Sequence, residues 1–169
     1  MHRTKYLVTL FFMLSCFTCF ACDCGSAGTF LTVAPKSKLV ALVKVDKYLT
    51  FKNIEGRPMP MSMQVTLVQI YKGKETRKTI TVWGDNGALC RPYLSTFPLG
   101  QYFVIAFDAG SDINETNANR TEKKTDYSIS VCGDYWLSAD ISKQIAKGGV
   151  TEKRNQISLN DLRKKLIGK

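Results

Sequence analysis

The stretch Leu39–Val45, which reads Leu-Val-Ala-Leu-Val-Lys-Val, is an almost unbroken apolar run. A short run of this kind between polar segments is typical of a strand that is buried in a sheet. Four more segments have the composition or the alternation of strands: Met63–Tyr71, Thr79–Trp83, Gln101–Phe107 and Tyr127–Cys132. Turn-forming residues separate them: Gly56-Arg57-Pro58, Lys72-Gly73-Lys74, Gly84-Asp85-Asn86-Gly87 and Pro98-Leu99-Gly100. The sequence therefore predicts a mainly β fold, a small closed five-stranded barrel, because closure removes exposed strand edges.

The C-terminal residues 136–169 follow a different period. Ser138–Lys147 carries Ile141 and Ile145 on one helical face and is followed by two glycines. Ser158-Leu159-Asn160-Asp161 has the pattern of a capping box, and apolar residues at helical spacing accompany it: Leu159, Leu162, Leu166 and Ile167. We therefore expect two short amphipathic helices, forming an extension that packs on the barrel.

Residues 1–21 are predicted to be a signal peptide. A short basic stretch precedes the apolar run Tyr6–Phe20, and Cys19-Phe20-Ala21 places small residues at a cleavage site. The run is short for a membrane span, which needs about 20 residues, and no second apolar segment is long enough to cross a bilayer. We expect a secreted, extracellular protein without a transmembrane segment. As an alternative, Met13-Leu14-Ser15-Cys16 loosely resembles a bacterial lipobox, and acylation at Cys16 would anchor the protein to a cell surface.

Cleavage after Ala21 would remove two of the six cysteines and leave Cys22, Cys24, Cys90 and Cys132. An even number of cysteines in an exported chain predicts disulfide bonds. A bond between Cys22 and Cys24 would close a small, strained ring. Each of the two should therefore pair with Cys90 or Cys132, which leaves two connectivities open and staples the mature N-terminus to distant strands.

The only histidine, His2, lies in the predicted signal peptide. A mature chain without histidine lacks the commonest general base and the commonest zinc ligand. Ser-His-Asp, Cys-His and His-containing zinc sites are thus excluded, and the acidic residues form no catalytic motif. We expect a protein that is not an enzyme and that has no cofactor and no metal of its own.

The charge of the chain favours anionic partners. The 24 basic residues outnumber the 14 acidic ones, and loss of Arg3 and Lys5 with the signal peptide would leave a net charge of +8. An anionic polysaccharide or an acidic surface is the kind of partner that such a charge attracts. The aromatic interleaving of nucleic-acid grooves is absent. We therefore expect no nucleic-acid partner and, by default, a monomer.

Gly110–Thr125 is polar and poor in aliphatic residues, as is typical of a surface loop. It contains Asn114-Glu115-Thr116 and Asn119-Arg120-Thr121, which are two acceptor patterns for N-glycosylation. Asn114 and Asn119 are candidate glycosylation sites if the source organism glycosylates exported proteins.

The order of these features resembles the N-terminal inhibitory domain of the tissue inhibitors of metalloproteinases and, more loosely, the netrin-like module. The resemblance covers about residues 22–135. The matching elements are Cys22-Asp23-Cys24, Gln69-Ile70-Tyr71-Lys72-Gly73, Ala88-Leu89-Cys90-Arg91, Tyr102–Ala106 and Ser128–Cys132. The resemblance implies a five-stranded oligonucleotide/oligosaccharide-binding (OB) barrel with flanking helices, and the disulfides Cys22–Cys90 and Cys24–Cys132.

The resemblance also implies a mechanism and a set of contact residues. The amine and carbonyl of Cys22 would chelate the catalytic zinc of a target metalloendopeptidase and displace the attacking water. Asp23 would enter the target's pocket, and Cys24 would contact the target beside it. Ala88 and Leu89 would lie beside the N-terminus and extend the contact surface. Animal members usually have Thr or Ser where this chain has Asp23, and they carry a third disulfide and a second domain that this chain lacks. The alternative is a netrin-like extracellular binding module without inhibitory activity.

Overall fold

Five strands close into a barrel in the computed structural model, which describes residues 24–112 and 119–167. The barrel strands are β1 (Leu39–Ile54), β2 (Arg57–Lys72), β3 (Thr79–Trp83), β4 (Tyr102–Ala109) and β5 (Tyr127–Ser128). Three further strands continue the sheet: β6 (Trp136–Asp140), β7 (Ile145–Thr151) and β8 (Arg154–Ser158). The helices are α1 (Phe30–Val33) and α2 (Leu159–Ile167), and Leu94–Thr96 forms a 3-10 turn.

The strand order identifies the type of barrel. The order is β1-β2-β3-β5-β4, and β4 pairs back with β1, which closes the sheet. Only β3 and β5 run parallel, with Val82 opposite Tyr127, while the other barrel pairs are antiparallel. This is the small Greek-key barrel of the OB fold. The predicted fold class, a mainly β chain with a closed five-stranded barrel, is confirmed.

The strand β1 is buried on both of its faces. Ala41 and Val43 point into the barrel, where they pack with Phe97, Phe103, Phe107 and other apolar side chains. Val40 and Leu42 point the other way, into a second core that α1, α2 and the β6–β8 strands cover. Burial on both faces is the reason that Leu39–Val45 reads as a continuous apolar run rather than as an alternating one.

The first two strands are longer than the sequence predicts. β1 and β2 continue beyond the barrel as a hairpin whose turn residues Glu55 and Gly56 have φ values of 50° and 79°. Positive φ at both central residues is the geometry of a type I′ turn, whose twist matches that of the flanking strands. We call the projecting part of this hairpin, residues 47–62, the hairpin arm. The predicted turn at Gly56-Arg57-Pro58 therefore lies one residue too late.

The predicted helix at Ser138–Lys147 is wrong. This segment forms the end of β6, a turn and the start of β7, so the extension at 136–169 is a three-stranded meander followed by one helix. The Asp140 carboxylate closes the turn by accepting hydrogen bonds from the Ser142 hydroxyl and the Lys143 N–H, at 2.7 and 3.1 Å. On one edge of β4, the two-residue strand β5 pairs only with Asp108 and Ala109. β6 pairs with Tyr102–Ile105 on that same edge. This long-range pairing overrides a local helical pattern.

The second predicted helix is confirmed as α2. The Ser158 hydroxyl accepts a hydrogen bond from the Asp161 N–H at 3.0 Å, as expected of an N-cap. Leu159, Leu162 and Leu166 are buried against the barrel, whereas Ile167 is exposed. Among the described residues, no helix has the length and apolar character that crossing a membrane requires.

Candidate functional site

The start of the described chain is fastened to the barrel by the disulfide Cys24–Cys132, whose Cα atoms are 5.4 Å apart. This bond confirms one of the two pairings that the resemblance implies. Backbone hydrogen bonds extend the attachment, from Ala27 N–H to the Cys132 carbonyl and from Asp134 N–H to the Gly28 carbonyl. Gly133 permits the close approach, since a Cβ at that position would lie 2.8 Å from the Gly28 oxygen.

A third disulfide-bonded cysteine, Cys90, lies beside the Cys24–Cys132 bond. Its carbonyl accepts a hydrogen bond from the Val131 N–H at 3.2 Å. Cys24, Cys90 and Cys132 are therefore on adjacent segments. The predicted partner of Cys90, Cys22, lies outside the described residues, as do Asp23 and the whole predicted signal peptide.

The loop that carries Ala88 and Leu89 is held by one buried carboxylate. Asp85 accepts hydrogen bonds from the N–H groups of Ala88 and Leu89 at 3.1 and 2.6 Å, and its own N–H donates to the Pro92 carbonyl. Ala88 is exposed, whereas Leu89 is buried beneath it. We call the surface formed by Cys24, Ala88–Cys90 and Val131–Cys132 the N-terminal ridge. Of the two predicted contact residues, only Ala88 offers its side chain to a partner.

A polar cavity of about 290 Å³ lies behind the ridge. Ala88, Leu89 and Cys90 line one side of it, and Arg91, Asp108 and three serines line the other. Burial raises the pKa of the Asp108 carboxyl, and the nearby Arg91 guanidinium opposes that rise. The cavity contains none of the histidine-based machinery of hydrolysis, in agreement with the histidine-free sequence of residues 3–169.

A buried ion pair supports the ridge from below. The Arg91 Nη1 donates to Glu122 Oε2 at 2.7 Å, and the Glu122 side chain is fully buried. The same carboxylate accepts hydrogen bonds from the N–H groups of Ser111 and Asn119 at 2.8 and 3.0 Å. Glu122 thus ties the residue after Cys90 to both flanks of the 111–119 segment. The sequence does not predict this pair, because its members are single charges 31 positions apart.

We expect Glu122→Gln to lower the free energy of unfolding by about 3 kcal/mol, because it leaves a buried arginine with its carboxylate partner removed. Denaturant unfolding of the purified protein, monitored by tryptophan fluorescence, measures the change. Glu152→Gln, at an exposed carboxylate, is the matched control and should change the free energy by less than about 0.5 kcal/mol. Equal effects of the two substitutions would show that the ion pair contributes nothing specific.

Asn119, one of the two candidate glycosylation sites, is buried. Its Nδ2 donates to the Gly84 carbonyl at 3.2 Å, and its residue is 5% exposed. A glycan attached to Nδ2 would have to displace this contact, so the folded structure argues against occupancy at Asn119. Asn114, the other candidate, lies outside the described residues.

The hairpin arm forms a groove next to the ridge. The sequence does not predict this groove. The Lys52 Nζ donates to the Asn86 carbonyl at 2.9 Å, which joins the arm to the loop that carries Ala88. The groove has a volume of about 560 Å³, and Phe51, Met61 and Trp83 supply apolar surface to it. Phe51 is 57% exposed. The available signal was Gly56, which tolerates the positive φ that a tight hairpin turn between β-prone segments requires.

Comparison of the chain with protein-family models gives no match, and comparison with curated protein sequences gives none either. The likeness to the tissue inhibitors of metalloproteinases therefore depends on the motifs quoted above. In the part of the chain that the structure describes, no group of three or more His, Cys, Asp or Glu side chains could hold a metal ion.

Proposed function

We propose that this chain is a secreted inhibitor of zinc metalloendopeptidases, and that it acts through the mature N-terminal residue Cys22. The disulfide Cys24–Cys132 is the observation that carries the proposal, because it fixes the residue two positions after Cys22 on a rigid barrel. Residues near a chain end are normally free to fray, whereas this bond holds Cys24 on the N-terminal ridge. A disulfide and the absence of a membrane-spanning helix among the described residues are consistent with an extracellular protein.

The chemistry requires a free α-amine. The amine and the carbonyl oxygen of one residue can close a five-membered ring on a zinc ion, and they occupy the position from which zinc-bound water attacks a substrate. The amine binds only in its neutral form. An α-amino group has a pKa of about 7.7–8.0, so zinc can displace the proton near neutral pH. No histidine or catalytic acid of the inhibitor is needed.

The ridge supplies the rest of the contact surface. Asp85 holds the loop backbone at Ala88 and Leu89, so the exposed Ala88 is presented on a fixed loop. Leu89 packs beneath and supports that loop rather than reaching a partner. The 3.2 Å hydrogen bond between Val131 and Cys90 keeps the two cysteine-bearing segments side by side. A preorganised surface of this kind binds with little loss of conformational entropy.

Asp23 should determine which proteinases are inhibited. A carboxylate that enters an apolar pocket without a partner costs several kcal/mol. We expect Asp23→Thr to strengthen inhibition of enzymes with an apolar pocket by about tenfold or more, as measured by inhibition constants across a panel of zinc endopeptidases. Asp23→Asn, which removes the charge at nearly constant size, is the matched control. If Asp23→Thr weakens inhibition of these enzymes, Asp23 has a specific partner in the pocket.

Mass spectrometry of the unreduced protein, exported by its own host, tests the premise. The proposal requires a chain that begins at an unmodified Cys22 and a peptide in which Cys22 is bonded to Cys90. A chain acylated at Cys16, or one with extra residues before Cys22, would have no free amine at that position. The protein would then be a surface-anchored or netrin-like binding module. A correctly processed chain that inhibits no zinc endopeptidase in the panel would exclude the inhibitor function in the same way.

A further inference from the structure

Three segments bring cations together at the end of the barrel where β1 begins and β2 ends. The segments are the residues before β1, the connection between β2 and β3, and the residues before β5. Their exposed cations are Lys36, Lys38, Lys74, Arg77, Lys78, Lys123 and Lys124. Lys124 lies 3.5 Å from the Asp112 carboxylate, and we call the six others the basic collar.

The segments of the collar are held to one another by packing around Tyr127. The Lys38 Nζ lies 5.5 Å from the centre of the Tyr127 ring, and the Arg77 guanidinium lies 5.7 Å from it. Arg77 also donates to the Thr125 carbonyl at 2.7 Å. Gly73, with φ 90°, lets the β2–β3 connection pack directly against Lys38, where a Cβ would collide with the backbone. Of the collar cations, Lys38 and Arg77 are thus held by packing around Tyr127, which places the start of β1 beside the β2–β3 connection.

The acidic residues of the same segments are engaged beneath the cations. Glu75 accepts hydrogen bonds from Arg77 and from the Tyr127 hydroxyl, and its side chain is 8% exposed. The hydrogen bond from Arg77 lowers the pKa of Glu75 to about 2. Asp126 accepts hydrogen bonds from the Trp83 Nε1 at 2.9 Å and from the Lys123 N–H. Within residues 24–112 and 119–167, no carboxylate is within salt-bridge distance of the five collar lysines.

We propose that the basic collar binds an anionic polysaccharide, a chain that carries sulfate or carboxylate groups. Clustered lysines that lack carboxylate partners attract a polyanion and hold it through several contacts at once. None of the large exposed apolar side chains belongs to the three collar segments, which disfavours insertion into a lipid surface. Tyr127 is buried, so the collar also lacks the exposed aromatic rings on which nucleic-acid bases stack.

The collar and the N-terminal ridge are separate surfaces. Tyr127, at the collar, begins β5, and the chain reaches Val131 of the ridge four residues later. An extended chain rises about 3.3 Å per residue, so these two points are at most about 13 Å apart. The proposal rests on the collar cations alone and does not depend on proteinase inhibition.

Binding of heparin, measured by titration calorimetry and by elution from a heparin column with NaCl, tests the proposal. We expect the triple variant Lys38→Gln, Lys74→Gln, Lys78→Gln to bind heparin at least about tenfold more weakly at 0.1 M NaCl. The control variant Lys47→Gln, Arg57→Gln, Lys147→Gln removes the same charge from exposed positions outside the collar. It should bind within about threefold of the unmodified protein. Thermal unfolding of both variants checks that the fold is intact.

Equal weakening by the two variants would overturn the proposal, because binding would then follow net charge and not the collar. Failure of the unmodified protein to bind heparin near physiological salt would overturn it as well. Vesicles of phosphatidylserine and phosphatidylcholine provide a second probe. Collar-dependent binding to these vesicles without binding to heparin would assign the surface to an anionic membrane instead.

Discussion

A single alanine added before Cys22 is expected to weaken inhibition of a target zinc endopeptidase by at least about a thousandfold. The added residue converts the α-amine of Cys22 into an amide, which is not a zinc ligand. It also moves the new amine about 3.5 Å along the chain, away from the Cys22 carbonyl. Coordination to a Lewis-acidic metal is worth several kcal/mol, and each 1.4 kcal/mol is a factor of ten in affinity.

The experiment compares inhibition constants of the two chains against an enzyme that the natural mature chain inhibits. An alanine added after Lys169 is the matched control and should leave potency unchanged. Thermal unfolding of the extended chain should match that of the natural one, because the disulfide Cys24–Cys132 and its flanking hydrogen bonds are retained. Equal potency of the N-terminally extended chain would contradict chelation by Cys22, even if the protein is an inhibitor.

Local sequence patterns predict most of the barrel and fail where pairing is long-range. The apolar run Leu39–Val45 predicts a buried strand, because both faces of that strand pack against apolar residues. Ser158 predicts the start of α2, because the hydrogen bond of an N-cap joins residues that are close in the sequence. The spacing of Ile141 and Ile145, four residues apart, fits one face of a helix. It fits the two sides of a tight turn equally well. Pairing with the second edge of β4, more than 30 positions earlier, decides in favour of strands.

For the candidate site too, the sequence predicts some features and not others. Cysteine chemistry narrows the pairings to two, and the structure selects Cys24–Cys132. The family resemblance predicts that Ala88 and Leu89 lie beside the N-terminus. It does not predict that Ala88 is exposed and Leu89 buried, because this difference depends on the hydrogen bonds of Asp85. The pair Arg91–Glu122 and the burial of Asn119 have no local signal at all. Both depend on contacts between residues far apart in the sequence, Arg91 with Glu122 and Asn119 with Gly84.

The double substitution Cys24→Ser, Cys132→Ser is expected to lower the free energy of unfolding by about 3–5 kcal/mol. The two cysteines are 108 positions apart. With the proposed Cys22–Cys90 bond still in place, breaking their bond opens a loop of about 40 residues, whose closure restricts the unfolded chain by about 4 kcal/mol in the chain-entropy model. Replacing both residues avoids a free thiol that could exchange with the remaining disulfide. Denaturant unfolding under non-reducing conditions measures the change.

Inhibition by the same double variant separates stability from function. The backbone hydrogen bonds at Ala27 and Gly28 remain, but each contributes only about 1 kcal/mol, which is too little to keep the terminus in one position. Potency should therefore fall at least about tenfold in buffer at low temperature, where the variant is still folded. The control is Ser26→Ala, which removes only a local hydrogen bond to the Gly28 N–H and should leave both quantities nearly unchanged. A folded double variant with full potency would show that the Cys24–Cys132 bond stabilises the barrel, and it would contradict the proposal that this bond positions Cys22 for inhibition.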